Sequence, residues 1–385
     1  MQKLRIGIVG AGRLGRIRSL SARAHPKSEV VGVVDSIVEH ARSLAADIGC
    51  PVETDWQKLV AREDVDAIVV ATPHKYLAPI TAAALRAGKY VFCEKPGARN
   101  AAEAEVVLRS AYGGSHPRDS ESRLSDQNNT QLTVGFTLRH YPAIRHAREL
   151  VAKGAIGELM YVRARYGHGG RPDYNLEWRG DLEMAGGGEL LDQGVHLIDL
   201  SRWFLGEFEQ VSGSIGTYFW GLSQDRSTKL EDNAFLWLRT ETGRIAWLHA
   251  SWTQWKNLFS FEIYGREGSI EVDGLAGHYG PQKLRITRRR EQGGPPELQE
   301  LDFGSEKKRS TQDDVWTHEW ATFISSVVDH KEARNGKQGS VSASGLDAWE
   351  TLKIVEAAYE ASRSGKGVIL GQFAAVSSDV GSGRQ

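Results

Sequence analysis

The sequence predicts an α/β protein of two domains, the first an open parallel sheet and the second composed mostly of strands. A chain of 385 residues exceeds what one average core holds, which favours about two domains. Up to about residue 110, short apolar strands alternate with helical patterns, and later segments read as hairpins. We place the domains at residues 1–138 and 139–371, with a Ser/Gly-rich tail at 372–385.

Composition excludes several functional classes. The formal net charge of −1 gives no field that would attract nucleic acid or an anionic membrane. Cys50 and Cys93 lack metal-ligand spacing, so we expect no metal site, no disulfide and a cytoplasmic location. There is no apolar run of roughly 18 residues to span a bilayer, and residues 1–10 enter a strand pattern directly, which predicts no signal peptide.

The first element is a strand, Leu4–Val9, that ends in a glycine-rich turn. The turn holds Gly10, Ala11, Gly12, Arg13, Leu14 and Gly15. Between a strand and a helix, the first glycine permits the tight turn, the second admits a pyrophosphate, and the third lets helix and strand pack closely. The N–H groups of the following helix then face the phosphates. This context predicts a dinucleotide site.

The second strand, Glu29–Asp35, ends in an acid. A carboxylate there accepts from the ribose hydroxyls of an adenosine and repels a 2′-phosphate, so Asp35 favours NAD over NADP. Arg13 and Arg16 lie near enough to soften that repulsion, so NADP stays possible. The alternative for Asp35 is a cap at the strand end.

The strand–helix alternation continues with strands at Asp66–Pro73 and Tyr90–Pro96 and helices at Pro79–Ala87 and Ala101–Ser110. Ligands of parallel sheets bind at the carboxyl ends of the strands. The residues at those ends are predicted to line the cofactor cleft: Thr72, Pro73, His74, Glu94 and Lys95.

Lys95 lies between an apolar strand and a proline, which stiffens the backbone that holds it. Its ammonium could stabilise negative charge on a substrate oxygen, and an ion pair with Glu94 is an equal alternative. The polar stretch 111–131 that follows reads as a loop insertion.

The second domain changes to hairpin patterns, Asn233–Thr253 and Phe259–Gly274. Trp237, Trp247 and Trp252 indicate a sheet face covered by a neighbour or a partner chain. Two helices, around Trp316–Val328 and Leu346–Ser362, close the chain.

The segment GGGELLDQGVHLIDL, Gly186–Leu200, carries acids and a histidine at helical spacing. Glu189, Asp192, His196 and Asp199 fall along one stripe, which we expect to face a cleft.

The segment Arg163–Asp181 before it is rich in Arg and aromatic residues. Arg165, Arg171 and Arg179 could bind a phosphate of a sugar nucleotide, or pair with nearby acids, and neutral sugars are nearly as plausible. His168 is a further candidate substrate contact, although a structural histidine is the safer interpretation.

The glycine turn, Cys93-Glu94-Lys95-Pro96 and the segment Gly186–Leu200, in this order, resemble the Gfo/Idh/MocA oxidoreductases. The resemblance implies a Rossmann domain followed by an α/β domain with a large, mostly antiparallel sheet. It also implies a homodimer or homotetramer formed through that sheet. Lys95, Asp192 and His196 match the positions that the family uses for catalysis: Lys95 orients the substrate, and His196 takes the proton while NAD takes the hydride.

One departure from the family stands at His74, where relatives commonly have Asn, with Leu77 in place of a usual His. The resemblance implies hydride transfer at a ring hydroxyl of a sugar, cyclitol or sugar nucleotide. A glycosidase that oxidises C3 transiently, and a non-catalytic sugar sensor, are the alternatives on the same fold.

Overall fold

The computed structural model of the protein describes residues 3–111, 132–173, 176–220, 230–304, 310–331 and 341–372. The predicted insertion at 111–131 and the tail at 372–385 lie, apart from their first residues, outside these ranges.

The first sheet has six strands in the order β14-β5-β4-β3-β1-β2. Its strands are β1 (Leu4–Val9), β2 (Ser28–Val34), β3 (Ala67–Val70), β4 (Tyr90–Glu94), β5 (Leu132–Gly135) and β14 (Ala343–Ser344). The first five run parallel and β14 pairs antiparallel with β5. The parallel sheet that the alternation predicts is confirmed, and its strand ends lie along one edge.

Five helices connect these strands: α1 (Arg13–Ala24), α2 (Val38–Ile48), α3 (Trp56–Ala61), α4 (His74–Arg86) and α5 (Ala101–Ala111). Helix α4 begins five residues before the predicted start at Pro79, so that prediction was wrong at its N-terminus. The helix continues through Pro79 because Leu77, Ala78 and Ile80 bury their side chains against the sheet. Burial outweighs the one backbone bond that a proline removes.

The second sheet has nine strands in the order β13-β12-β11-β10-β6-β9-β8-β7-β15. Its strands are β6 (Leu159–Gly167), β7 (Phe208–Gly216), β8 (Asn233–Thr240), β9 (Ile245–Ser251), β10 (Leu258–Gly265), β11 (Gly268–Asp273), β12 (Lys283–Arg288), β13 (Glu297–Asp302) and β15 (Val368–Ile369). Of these pairings β6–β9 is parallel and the others are antiparallel. Both predicted hairpins and the mostly antiparallel sheet are confirmed.

The remaining helices are α6 (Pro142–Ala152), α7 (Leu182–Ala185), α8 (Val195–Leu205), α9 (Ser310–Lys331) and α10 (Gly345–Ser364). A turn of π-helix, Leu190–Gly194, leads directly into α8. Helix α8 packs on β6 and β9 of the second sheet.

Two elements after residue 302, α9 and β14, return to the first sheet. Trp320 and Phe323 of α9 pack against Phe92 of β4, at ring-centroid distances of 6.1 and 5.6 Å. Strand β14 also extends this sheet. The region after residue 138 therefore contributes to both cores. Within the described ranges, no helix has the length and apolar character needed to cross a membrane.

Candidate active site

The glycine-rich turn has the backbone geometry that a dinucleotide requires. Gly10 has a φ of 99°, and a Cβ there would lie 2.4 Å from the carbonyl oxygen of Ala71. A Cβ on Gly15 would lie 1.8 Å from the carbonyl oxygen of Gly10, so only glycine lets α1 pack this closely. At Gly12, by contrast, a Cβ would meet no atom within 4 Å, which leaves the backbone open to a ligand.

Helix α1 begins at Arg13, followed by half-buried Leu14, and no side chain caps its N-terminus. Its first N–H groups are thus available to an anion. Thr72, at the end of β3 beside Pro73, has a buried Oγ1 without a hydrogen-bond partner in the described part of the chain. The turn, the uncapped helix and this hydroxyl fit a dinucleotide at the edge of the first sheet.

Asp35 lies at the end of β2, beside the turn. Its Oδ2 accepts from the backbone N–H of Ala11 at 2.6 Å, and its Oδ1 accepts from that of Ile37 at 2.8 Å. The carboxylate is therefore fixed next to the glycine turn. This position agrees with both interpretations of Asp35, a contact to the ribose and a cap of the strand end. Arg16 forms an ion pair with Asp47, so its charge is partly neutralised.

Lys95 reaches across the cleft to the second domain. Its Nζ donates to Oδ1 and to the backbone oxygen of Asp192, both at 2.5 Å. The alternative ion pair with Glu94 is not formed, because Glu94 accepts from Arg18 Nε at 2.7 Å in a buried network. Arg18 also donates to Glu319 of α9 at 2.6 Å. The Glu94 side chain thus anchors the strand end that carries Lys95.

Asp192 connects Lys95 to the segment before the π-helix. Its Oδ2 accepts from Arg179 Nε at 3.1 Å, and Arg179 stacks on Trp178. Burial alone would raise the pKa of Asp192, but Lys95 and Arg179 hold it well below its usual 3.8. Asp192 is therefore ionised, and it fixes one cation from each domain.

His196 lies one turn after Asp192, at the start of α8. It is 8% exposed and contacts the rings of Phe136 and Tyr166 edge-on, at centroid distances of 5.8 and 6.2 Å. Its Nδ1 has no hydrogen-bond partner in the described ranges. Burial and the nearby Lys95 ammonium lower its pKa to about 3. The imidazole is thus neutral at physiological pH.

The predicted stripe of four polar groups is divided in the structure. Asp192 and His196 face Lys95, but Asp199 forms a buried ion pair with Arg139 at 2.6 Å. Glu189 is fully buried, and neither of its oxygens has a hydrogen-bond partner among the described residues. The expectation that all four groups face one cleft was wrong at Asp199, because Asp199 of the regular helix α8 and Arg139 form their own buried ion pair.

His74, the departure from the family pattern, also lies in this cluster. Its Nδ1 lies 2.8 Å from the carbonyl oxygen of Ala185, so Nδ1 carries the proton and Nε2 is an acceptor. Trp178 packs edge-on against the ring at 4.8 Å. Burial and Lys95 lower its pKa to about 3.

The structure brings His168 towards the cluster. Its Nδ1 accepts from Gly170 N at 2.9 Å, and burial lowers its pKa while Asp192 opposes that shift. Arg165 lies elsewhere. It alternates with Tyr166 along β6, and Tyr166 faces His196, so Arg165 is exposed on the opposite face of the second sheet. Arg165 is therefore not brought together with the other predicted substrate residues.

Glu231 is a buried residue of the site that sequence reasoning missed. Its carboxylate accepts from Gly188 N at 3.0 Å, from Leu190 N at 3.1 Å and from the Tyr359 hydroxyl at 2.7 Å. A Cβ on Gly188 would lie 2.1 Å from the Glu231 carbonyl oxygen. The three-glycine run therefore lets Glu231 and Tyr359 approach the backbone that leads into Asp192. The only feature of the sequence that could have indicated this role is the pair of acids Glu231-Asp232 directly before an apolar strand.

A dinucleotide fold with a buried Lys–Asp–His cluster at its cleft defines an oxidoreductase of the nicotinamide-dependent class. Two family profiles match: "Oxidoreductase family, NAD-binding Rossmann fold" over residues 4–113, and "GFO/IDH/MocA C-terminal domain" over residues 144–271.

Individual relatives agree. A levoglucosan dehydrogenase of Pseudarthrobacter phenanthrenivorans is 29% identical over 300 residues, covering 70% of this chain and 73% of the relative. A dTDP-3,4-didehydro-2,6-dideoxy-alpha-D-glucose 3-reductase of Streptomyces violaceoruber is 31% identical over 300 residues, covering 75% of this chain and 78% of the relative. The crystal structure of an oxidoreductase domain protein from Kribbella flavida superimposes with a TM-score of 0.80 at 26% identity, covering 96% of this chain and 100% of that one. The chain belongs to the Gfo/Idh/MocA family and carries its NAD-binding Rossmann domain.

Proposed function

We propose that the protein is an NAD(P)-dependent dehydrogenase or reductase that interconverts a ring hydroxyl and a ketone of a sugar, cyclitol or sugar nucleotide. The convergence of Lys95, Asp192 and His196 beside the dinucleotide edge is the observation that carries this proposal. The names of two relatives, a sugar dehydrogenase and a sugar-nucleotide reductase, support the substrate class.

The cofactor contacts follow from the first sheet. Gly10, Gly12, Arg13, Leu14 and Gly15 form the phosphate turn, and Thr72, Pro73 and His74 line the cleft beside it. Asp35 beside the turn favours NAD, which accepts the hydride when bound.

Lys95 has three N–H donors, and Asp192 accepts from two of them. The third is available to a substrate oxygen, where it would stabilise negative charge. His196 is neutral, so it can accept the proton of the reacting hydroxyl. A base with a low pKa suffices at that step, because loss of a hydride from carbon makes the attached hydroxyl strongly acidic.

The test is a substrate screen followed by two active-site variants. Sugars, inositols and sugar nucleotides are mixed with NAD⁺ or NADP⁺ and the protein, and nicotinamide absorbance is recorded. Lys95→Ala and His196→Ala are each expected to lower turnover by about two orders of magnitude, with cofactor affinity retained. Lys75→Ala, which removes a lysine paired with Glu183 outside the cluster, is the matched control and should retain turnover.

Three outcomes would contradict the proposal. Wild-type turnover by both active-site variants would exclude the assigned roles. Release of an aglycone with no net change in NADH would identify a glycosidase that oxidises its substrate transiently. Binding of cofactor and sugar that is unaffected by His196→Ala, without any turnover, would identify a sensor.

The outer face of the second sheet supports a homodimer or homotetramer. Tyr161 stacks on Tyr264 at 4.5 Å, and Trp247 is 40% exposed opposite its cross-strand partner Trp237. Trp252, the third predicted member of this face, is instead buried. An exposed aromatic surface on a large sheet is typical of a subunit interface. A cytoplasmic location is also proposed, supported by the free thiols of Cys50 and Cys93.

A further inference from the structure

Three aromatic residues form an exposed surface beside the active site, which we name the aromatic platform: Phe219, Trp220 and Trp255. The ring of Phe219 meets Trp220 and Trp255 edge-on, at centroid distances of 5.1 and 5.0 Å. Phe219 is 49% exposed and Trp255 is 67% exposed. Exposing rings of this size to water costs free energy, so a cluster of exposed rings indicates a binding surface.

The platform is held by its backbone rather than by burial of its rings. Asp232 is fully buried, and its carboxylate accepts from three consecutive backbone N–H groups, those of Tyr218, Phe219 and Trp220, at 2.9, 2.7 and 2.9 Å. The indole N–H of Trp220 donates to the carbonyl oxygen of Trp252 at 3.0 Å. The rings of Phe219 and Trp220 are therefore presented on a fixed support, as a preorganised binding surface requires.

The platform is continuous with the catalytic cluster through the segment after β6. A Cβ on Gly170 would lie 2.5 Å from the Trp220 ring, and one on Gly169 would lie 3.4 Å from Trp255. His168, the neighbouring residue, lies within the electrostatic influence of Asp192 and Lys95. A molecule whose reacting ring contacts Lys95 could thus extend past His168 onto the platform.

The charges around this route disfavour a phosphate. Arg179 is bonded to Asp192, Arg171 is paired with Glu177, and Arg165 lies on the opposite face of the sheet. The three arginines that the sequence offered for a phosphate are thus paired with acids or lie outside the site. Gln254 and Asn257, which lie one and two residues from Trp255 in the sequence, are half-buried and carry amide groups.

We propose that the aromatic platform is a second sugar-binding subsite, so that the substrate is a disaccharide or a glycoside with a neutral sugar as its second ring. The C–H face of a sugar ring stacks on an aromatic ring, and amide groups bind its hydroxyls. This inference rests on the proposed function, since it places the reacting ring at Lys95 and His196.

The test measures sugar affinity by calorimetry on the NADH-saturated protein. Three monosaccharide-sized probes, D-glucose, D-galactose and myo-inositol, are compared with disaccharides that carry each ring: cellobiose, lactose and galactinol. At least one disaccharide should bind five- to tenfold more tightly than its matched single ring. Trp255→Ala and Phe219→Ala should each remove most of that difference and leave single-ring affinity within about twofold. Leu298→Ala, which truncates an apolar residue 69% exposed on β13, is the control and should change neither affinity.

The inference is overturned if no disaccharide binds more tightly than its single ring, or if the platform variants weaken both equally. It is also overturned if Trp255→Ala changes the oligomeric mass, since the platform would then be a subunit contact. Failure of the proposed function is a separate result, because it would appear as absent NADH binding or as absent turnover with every sugar.

Discussion

Replacement of His74 by Asn should make the protein less sensitive to acid. His74 Nδ1 donates to the carbonyl oxygen of Ala185 at 2.8 Å, and an Asn amide can donate to the same oxygen. The substitution also introduces the residue that the resemblance to the family leads us to expect at this position. Its main consequence is the loss of a buried group that titrates at different pH values in the folded and unfolded chains.

The magnitude follows from the two pKa values. Burial first, and then Lys95, lower the pKa of His74 from 6.5 to about 3. Between these values the unfolded chain binds a proton that the folded chain does not, so stability falls as the pH decreases through this window. At pH 5 the unfolded imidazole is mostly protonated and the folded one is neutral, which costs about 2 kcal/mol relative to pH 7.5.

The assay is urea unfolding of the wild type and of His74→Asn at pH 7.5 and pH 5. The wild type should lose about 2 kcal/mol more of its free energy of unfolding between these pH values than the variant does. Any cost of the smaller side chain cancels, because it affects both pH values. The control is His40→Asn, at a histidine whose side chain is 54% exposed. An equal loss in the wild type and in His74→Asn would refute the argument from burial.

Three further predictions concern the cofactor, the catalytic helix and the sheet. Asp35→Ala should weaken NAD more than NADP in fluorescence titrations, and an unchanged ratio would remove the argument from its carboxylate. Glu231→Gln should lower the free energy of unfolding by about 2 kcal/mol and reduce kcat, because the amide NH2 that replaces Oε2 would face the Gly188 N–H, which donates to Oε2 at 3.1 Å; unfolding and kinetics that match the wild type would contradict this role. Trp247→Glu should shift the molecular mass measured by light scattering towards the monomer, whereas Val106→Glu, at a residue 54% exposed on α5 of the first domain, should not.

The first domain could be predicted closely because its signals are local. Position 10 requires glycine because its backbone φ is 99°, and position 15 requires glycine because helix α1 packs closely on the strand before it. Both requirements arise within six residues of sequence. The position of Lys95 followed from the same strand-end rule. The ion-pair partner of Lys95 could not be predicted in the same way, because the choice between Glu94 and Asp192 depends on Arg18 and on the approach of the second domain.

The second domain was predictable as hairpins but not in its side-chain directions near the site. Arg165 and Tyr166 are adjacent in a strand, so one of them must face away from His196, and composition alone does not say which. The stripe from Glu189 to Asp199 was wrong at Asp199 for a related reason. Helical spacing places Asp199 with His196, but its buried ion pair is made with Arg139, a residue distant in the sequence.

The charge state of the cluster explains why the arrangement suits oxidation of a hydroxyl. Lys95 and Arg179 supply two positive charges, and the ionised Asp192 supplies one negative charge. His196 is neutral, and burial and Asp192 raise the pKa of Glu189 well above its usual 4.5, which favours its uncharged form. The cluster therefore carries an excess of one positive charge in a buried site, where Coulomb interactions are stronger than in water. We expect that excess to stabilise a substrate oxygen that gains negative charge as its proton leaves. Glu231 holds the backbone that leads into Asp192, and Asp192 in turn holds Lys95.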